Sequence, residues 1–243
     1  MIRFDILTLF PDMFKGLISE SIMKRAINEG LIEVNLIDFR EFSTNKHHTV
    51  DDYAYGGGAG MLISVEPIHK ALQTIPNYQE AFKILMSPSG KTFNQEMAYT
   101  FSEYEHIIII CGHYEGIDAR ILDYIDAEIS IGDYVLMGGE IPSMALLEAI
   151  SRLVPGVISN DSPVNESFNN SLLEHPQYTR PQVYDGKEVP EVLLSGHHEN
   201  IRNWQRKKSL EKTLKVRPDL LKDANLSLDD HKYLWELKKN EKN

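Results

Sequence analysis

Apolar residues in the first part of the chain alternate between two spacings, one suited to strands and one to helices. Phe4-Asp5-Ile6-Leu7-Thr8-Leu9 reads as a strand, and Leu17, Ile18, Ser21, Ile22 and Arg25 follow at helical spacing within a helix predicted over 13–29, with Gly30 as its stop. Ile32-Glu33-Val34-Asn35-Leu36 alternates as a second strand. The pattern continues as helix 66–75, strand 83–87, helix 94–102, strand 106–111, helix 118–125, strand 128–131 and a helix over 143–153 that ends before Pro155-Gly156. Strands alternating with helices predict an α/β fold, a parallel sheet with helices on both faces. The continuous run Ile107-Ile108-Ile109-Ile110 suits the centre of such a sheet, which is buried from both sides.

The pattern changes after Val157. Asn160, Asp161, Ser162, Pro163, Asn165, Glu166, Asn169 and Asn170 make a polar stretch that reads as a linker or loop, so a domain boundary belongs there. Segments 199–215, 218–222 and 227–239 then look helical, with Asp229 near a start and Lys238-Lys239 near an end, which predicts a small C-terminal helical domain. No internal repeat or low-complexity tract is visible.

With 42% hydrophobic and 25% charged residues in 243, the composition is that of a globular chain and excludes disordered, collagen-like and rod-like classes. No apolar stretch approaches the roughly 18 residues of a membrane span. Met1-Ile2-Arg3-Phe4-Asp5 has neither the basic head nor the apolar stretch of a signal peptide. A single cysteine, Cys111, excludes a disulfide framework and reads as a buried inert thiol. No membrane association and a cytoplasmic location are expected.

The net charge of −11 conceals an asymmetry, because residues 197 to 243 carry 12 basic and 8 acidic side chains, net +4, against −15 for residues 1 to 196. Between 202 and 217, Arg202, Arg206, Lys207, Lys208, Lys212, Lys215 and Arg217 accompany one acid, Glu211, with Trp204 among them. That pattern fits a face that tracks phosphates and stacks a base. On charge alone the solvated face of a small bundle, the commoner origin of charge runs, is the favoured reading.

Three strand ends open into glycine-bearing loops: Ser87-Pro88-Ser89-Gly90, Gly112-His113-Tyr114-Glu115-Gly116 and the segment from Ile131 to Glu140. Ligands of open parallel sheets bind outside the carboxyl ends of strands, where glycine permits close backbone approach, so one shared pocket is implied. The first strand is not followed by Gly-x-Gly-x-x-Gly, and Gly56-Gly57-Gly58-Ala59-Gly60 lacks the Lys-Ser/Thr of a phosphate-binding loop, which disfavours ordinary dinucleotide and NTP sites. His197-His198-Glu199 lacks metalloprotease spacing and Cys111 alone builds no zinc site, so no protein-held metal is expected. The stretch from His47 to Met61 reads as a loop because of its small residues, and Asp51-Asp52 within it suit solvated or capping roles better than a magnesium site.

Thr8-Leu9-Phe10-Pro11, Asp51-Asp52-x-x-Tyr55-Gly56-Gly57-Gly58-x-Gly60-Met61, Cys111-Gly112-x-Tyr114-Glu115-Gly116, Gly132-Asp133-Tyr134-Val135-Leu136-x-Gly138-Gly139-Glu140, Pro176-x-Tyr178-Thr179-Arg180-Pro181 and Leu193-Leu194-Ser195-Gly196 together closely resemble bacterial tRNA (guanine-N1)-methyltransferases, over nearly the whole chain. The resemblance implies a deep trefoil knot in the sheet, which general topology rules would never predict. It implies a knotted S-adenosylmethionine-binding domain over 1–160, an interdomain loop over 161–175 and a helical tRNA-binding domain over 176–243. By the same resemblance, the methyl donor S-adenosyl-L-methionine is held by Met86, Ser87, Gly112, Tyr114, Glu115, Ile131, Gly132, Tyr134, Val135, Leu136, Gly138, Gly139 and Pro142. The implied product is N1-methylated guanine immediately 3′ of the anticodon.

Family members are homodimers with shared active sites, use weakly held Mg2+ and grip tRNA with the C-terminal domain. That shifts the reading of Arg202, Trp204, Arg206, Lys207, Lys208 and Lys212 toward RNA binding. N1 of guanine carries a proton at neutral pH, so transfer needs a base and a cation to stabilise charge on O6. The resemblance assigns these roles to Glu166, where the family usually has aspartate, and Arg152; Asp161-Ser162 is a rival alignment for the acid. Taken singly, Arg152 would be a helix-terminal cation and Glu166 a solvated carboxylate. From the sheet pattern alone an oxidoreductase is an alternative, though it lacks the glycine fingerprint and ribose-binding acid. From the tail alone a non-catalytic RNA-binding module is another.

Overall fold

A computed structural model describes residues 1–58, 60–158 and 167–240. The chain divides into two compact units, residues 1–160 and 161–243.

In the first unit, strand β1 (Ile2–Thr8) is followed by a 3-10 turn (Pro11–Phe14) and two short helices, α1 (Lys15–Ile18) and α2 (Ser21–Asn28). After β2 (Ile32–Asp38) come a small hairpin of β3 (Asp51–Tyr53) and β4 (Met61–Ile63), then α3 (Val65–Thr74), β5 (Phe82–Thr92), α4 (Gln95–Ser102) and β6 (His106–Cys111). A 3-10 segment (Ala119–Tyr124), β7 (Ala127–Ser130) and α5 (Glu140–Ser151) complete it. The central sheet has the order β2-β1-β6-β5-β7, with every pairing parallel. Ile109 at its middle lies between Ile6 and Ile84.

Both faces are covered, which is why β6 is apolar at successive positions rather than alternate ones. Phe4, Ile6, Ile107 and Ile109 pack one face against Met23 and Ala26 of α2, Phe101 of α4 and Leu146, Leu147 and Ile150 of α5. Leu7, Leu85, Ile108 and Ile110 pack the other against Ile68, Ala71 and Leu72 of α3.

Four elements differ from the sequence expectation. The helix expected over 13–29 is interrupted, with Glu20 extended and Ser21 at φ 53 between α1 and α2. Positive φ at a residue other than glycine lies outside the right-handed helical region, so the helical run cannot pass through Ser21 unbroken. The segment expected as helix 118–125 winds instead as a 3-10 helix, started by Asp118 accepting from Arg120 N at 2.9 Å. The stretch from 47 to 61 is not all loop, since Asp51–Tyr53 pairs antiparallel with Met61–Ile63 around the glycine-rich turn. Finally, β5 does not end at Ser87. Met86 and Lys91 both register with Ile129, so Ser87-Pro88-Ser89-Gly90 bulges out of a ladder that resumes beyond it.

The second unit contains a two-residue-strand hairpin, β8 (Val183–Tyr184) with β9 (Lys187–Glu188), helices α6 (Glu191–Leu194) and α7 (His198–Val216), a 3-10 segment (Pro218–Lys222) and α8 (Leu228–Asn240). Its core is Leu172, Leu210 and Leu234, with Leu214, Leu221 and Leu237 packed against them. Leu172 and Leu173, which fall in the segment read as interdomain loop, are buried here. The Leu173 amide donates to Thr213 Oγ1 of α7 at 2.9 Å, so this end of the loop is tied down by both packing and a buried hydrogen bond.

Asp230 joins the two long helices, accepting from Arg206 Nη2 at 2.9 Å and from the Ser227 amide at 2.9 Å. Burial raises its carboxyl, but the bonds from Arg206 and Ser227 outweigh that and hold it below the usual carboxylate range. A carboxyl depressed on folding contributes stability above its unfolded value, about 3.9, and loses it as pH falls through the folded value. Both tryptophans, Trp204 and Trp235, lie in this unit and report on it. Urea melts followed by their fluorescence should weaken below about pH 4, and Asp230→Asn should flatten that dependence while lowering stability at neutral pH.

Candidate active site

Because the sheet is parallel, the carboxyl ends of β1, β6, β5 and β7 emerge on one edge. The turn after β6, the bulge of β5 and the segment between β7 and α5 border one cavity of about 500 Å3. Small-molecule sites commonly span about 300–1,000 Å3. All cofactor positions inferred from the sequence, from Met86 and Ser87 through Gly112, Tyr114 and Glu115 to Ile131, Gly132, Tyr134, Val135, Leu136, Gly138, Gly139 and Pro142, line it. The structure therefore gathers residues from three separated segments around one space.

The tightest point is where the segment after β7 passes the end of β6. Gly139 N donates to Gly112 O at 2.8 Å, and His113 bridges Gly138 in antiparallel sense. A Cβ on Gly139 would stand 2.7 Å from Cys111 Cα and 2.8 Å from Gly112 N, both backbone atoms that cannot yield. Beside it Tyr114 takes a left-handed conformation, φ 59, with its ring half exposed at the mouth. Cys111 is fully buried, with Sγ 3.1 Å from Ser143 Oγ. Burial pushes its thiol pKa up, leaving it neutral and inert, as its apolar run predicts.

Two relationships escape sequence reading. The first is the hairpin, which docks on the turn after β6: Glu115 N donates to Met61 O at 3.2 Å, Ile63 N to Gly116 O at 2.9 Å, and the Glu115 side chain lies against Gly60. Nothing in the spacing of three-residue strands announces that pairing. The second is a buried polar group: Glu140 Oε1 accepts from Thr8 Oγ1 at 2.7 Å, and Oε2 is 2.6 Å from His113 Nε2. Thr8 and Glu140 stand within the glycine and β1 motifs, which was the available signal, but only the fold brings them together.

Arg152 is the C-cap of α5, its amide donating to Glu148 O at 3.2 Å. Glu166, like its rival Asp161 and Ser162, lies outside the described residues. Among the described residues, no three His, Cys, Asp or Glu side chains converge as a metal site.

In the second unit the basic residues of α7 divide by partner. Arg206 is engaged by Asp230 and by Asn225 O, and Lys208 pairs with Glu211 at 2.7 Å. Lys212 donates to Glu174 O at 3.1 Å, and Lys207 stands 5.2 Å from the centre of the Tyr233 ring. Arg202 is exposed. Trp204 is half-buried between His175 and Tyr178, ring centres 6.3 and 6.2 Å away. The acids that meet this face include Asp230 as well as Glu211, because α8 folds back along α7.

Comparison with known proteins is consistent with this geometry. The family model described as tRNA (Guanine-1)-methyltransferase TrmD matches residues 2–223. A tRNA (guanine-N(1)-)-methyltransferase of Mycoplasma capricolum subsp. capricolum is 53% identical over 226 residues, 93% of this chain and 94% of that protein. That of Dictyoglomus turgidum is 51% identical over 240 residues, 98% of each chain. That of Caldanaerobacter subterraneus subsp. tengcongensis is 52% identical over 234 residues, 96% of this chain and 97% of that protein. With a family model spanning most of its length and relatives of this identity covering nearly all of it, the chain belongs to the tRNA (guanine-1)-methyltransferase family of enzymes.

Proposed function

We propose that this enzyme transfers a methyl group from S-adenosyl-L-methionine to N1 of the guanine immediately 3′ of the anticodon in tRNA. The observation that carries the reading is the close backbone approach of Gly139 to Gly112 at the rim of one cavity built from three strand ends. The residues present fit the donor. Turn amides from Gly112 to Tyr114 and from Leu136 to Gly138 offer hydrogen bonds, while Met86, Ile131, Leu136 and Pro142 offer an apolar wall for a flat ring. When bound, the donor supplies an electrophilic methyl group on a sulfonium.

The chain's own task is to make guanine N1 nucleophilic. Glu166 accepts the N1 proton, and Arg152 stabilises the charge that develops on O6. A hydrated Mg2+, held weakly, would lower the negative charge around the acid and the donor's carboxylate. The working form is a homodimer with shared sites. Val135 at 83% and Met137 at 92% exposure, beside Ile141 at 52%, leave an apolar rim at the cavity that a second copy would cover. A knotted path is supported by the segment after β7 crossing back over the end of β6. The cytoplasm, where tRNA is met, is the location this reading proposes; among the described residues no helix is long and apolar enough to cross a membrane.

Titration calorimetry should show binding of S-adenosylmethionine and none of NAD, and unmodified tRNA should accept labelled methyl groups at that guanine alone. Glu166→Gln should abolish transfer while sparing donor affinity; near-normal turnover would move the base to Asp161. Gly139→Ala, whose new methyl meets backbone, should weaken donor binding by about tenfold or more. For the RNA face, Arg202→Ala with Lys207→Ala should weaken tRNA binding and reduce the slope of its salt dependence by about one unit per residue. An unchanged slope would return these side chains to a packing role.

A further inference from the structure

Glu140, the first residue of α5, is 1% exposed. A buried carboxylate is costly unless hydrogen bonds and favourable charge replace water. Both are present, since the first turn of a helix favours negative charge and each carboxylate oxygen has a partner. Thr8 Oγ1 accepts from Phe10 N at 2.9 Å, so its single proton is committed to Glu140 Oε1. His113 Nε2 meets Oε2 at 2.6 Å, and the imidazole rests on the Phe10 ring with centres 4.8 Å apart. One side chain thus ties together the end of β1, the turn after β6 and the start of α5.

The His113–Glu140 contact lies over Gly138. A Cβ there would stand 2.1 Å from His113 Nε2 and 2.7 Å from Glu140 Oε2. The two glycine turns are therefore joined twice, by the Gly139–Gly112 backbone bond and by this side-chain clasp above it. The helix itself does not depend on the clasp, because Leu146, Leu147 and Ile150 hold α5 against the sheet.

We propose that Glu140 is a positioning residue for the methyl donor, its carboxylate clasped by Thr8 and His113 so that the two glycine turns keep the separation the donor requires. The inference rests on the methyl-donor reading above. It assigns Glu140 no contact with the reacting atoms. Since the donor meets both turns at once, a small change in their spacing should weaken donor binding and leave RNA affinity intact.

The test measures donor affinity by calorimetry, KM for tRNA, melting temperature and the ring 15N shifts of His113 in the donor-free protein. Glu140→Ala and His113→Ala should each weaken donor binding about tenfold or more, with KM for tRNA unchanged. Glu140→Gln and His113→Gln should restore most of the affinity, because each keeps a polar atom in reach of its partner. The His113 shifts should report a proton on Nε2 in the parent, and the opposite tautomer in Glu140→Gln, where the amide now donates. Should Glu140→Ala fail to fold, the partly exposed His113 pair supplies the same comparison.

Unchanged donor affinity in the alanine variants, or equal losses of donor and tRNA affinity tracking the melting temperature, would overturn the positioning role. If the unaltered protein binds no S-adenosylmethionine, it is the methyl-donor reading that fails, a result separable from either of these.

Discussion

The contact between the backbone of Gly139 and that of Cys111 and Gly112 sets the terms for the rest of the first unit. The two chain segments come this close because Gly139 carries no side chain at the crossing, and its amide finds its partner in the Gly112 carbonyl 2.8 Å away. From that crossing the segment before it loops outward as Gly132 to Met137, and the segment after it enters the sheet-covering helix α5. The cavity is the space left between these paths and the bulge of β5. Its walls are turns, but the turns spring from strands whose packing is apolar on both faces, so a soft element is carried on a stiff one.

Charge is organised separately in the two units. In the first, the two fully buried carboxylates are satisfied in compact sets. Asp5 takes hydrogen bonds from Arg3 and Asn35 and lies 2.6 Å from His106 Nε2, while Glu140 lies between Thr8 and His113. In the second, part of the excess of basic residues is engaged inside the unit, Arg206 joining α7 to Asp230 of α8 and Lys208 pairing with Glu211 along α7 itself. A net charge of +4 over residues 197 to 243 therefore overstates what remains to meet phosphate. Exposed Arg202 and Lys207 above the Tyr233 ring remain the better candidates for RNA contact.

Periodicity and composition determined a good deal here. The α/β class follows from alternating spacings, and β6 from a run of isoleucines that only a two-sided burial accommodates. The division between residues 160 and 161 falls where the composition turns polar, and the gathering of the candidate ligand positions at one sheet edge follows from parallel pairing, which sends every strand's carboxyl end the same way. Local chemistry was less legible. The 3-10 winding after Asp118 and the bulge after Met86 each contain hydrogen bonds among near neighbours that compete with regular structure, Asp118 accepting from Arg120 N and Ser87 Oγ from Ser89 N, and the break at Glu20–Ser21 is a local backbone turn with Ser21 at positive φ.

Only tertiary structure decided which distant residues meet. Thr8, His113 and Glu140 are separated by more than a hundred positions at the extremes, and no periodic pattern relates them. They form one clasp because the crossing at Gly139 brings the head of α5 beneath the ends of β1 and β6. The same holds for Glu115 against the hairpin and for Leu172 in the helical core. Sequence spacing reports which face of its own element a residue occupies, since that is dictated by local geometry; which other element arrives at that face is set by packing and backbone hydrogen bonds summed over the whole chain.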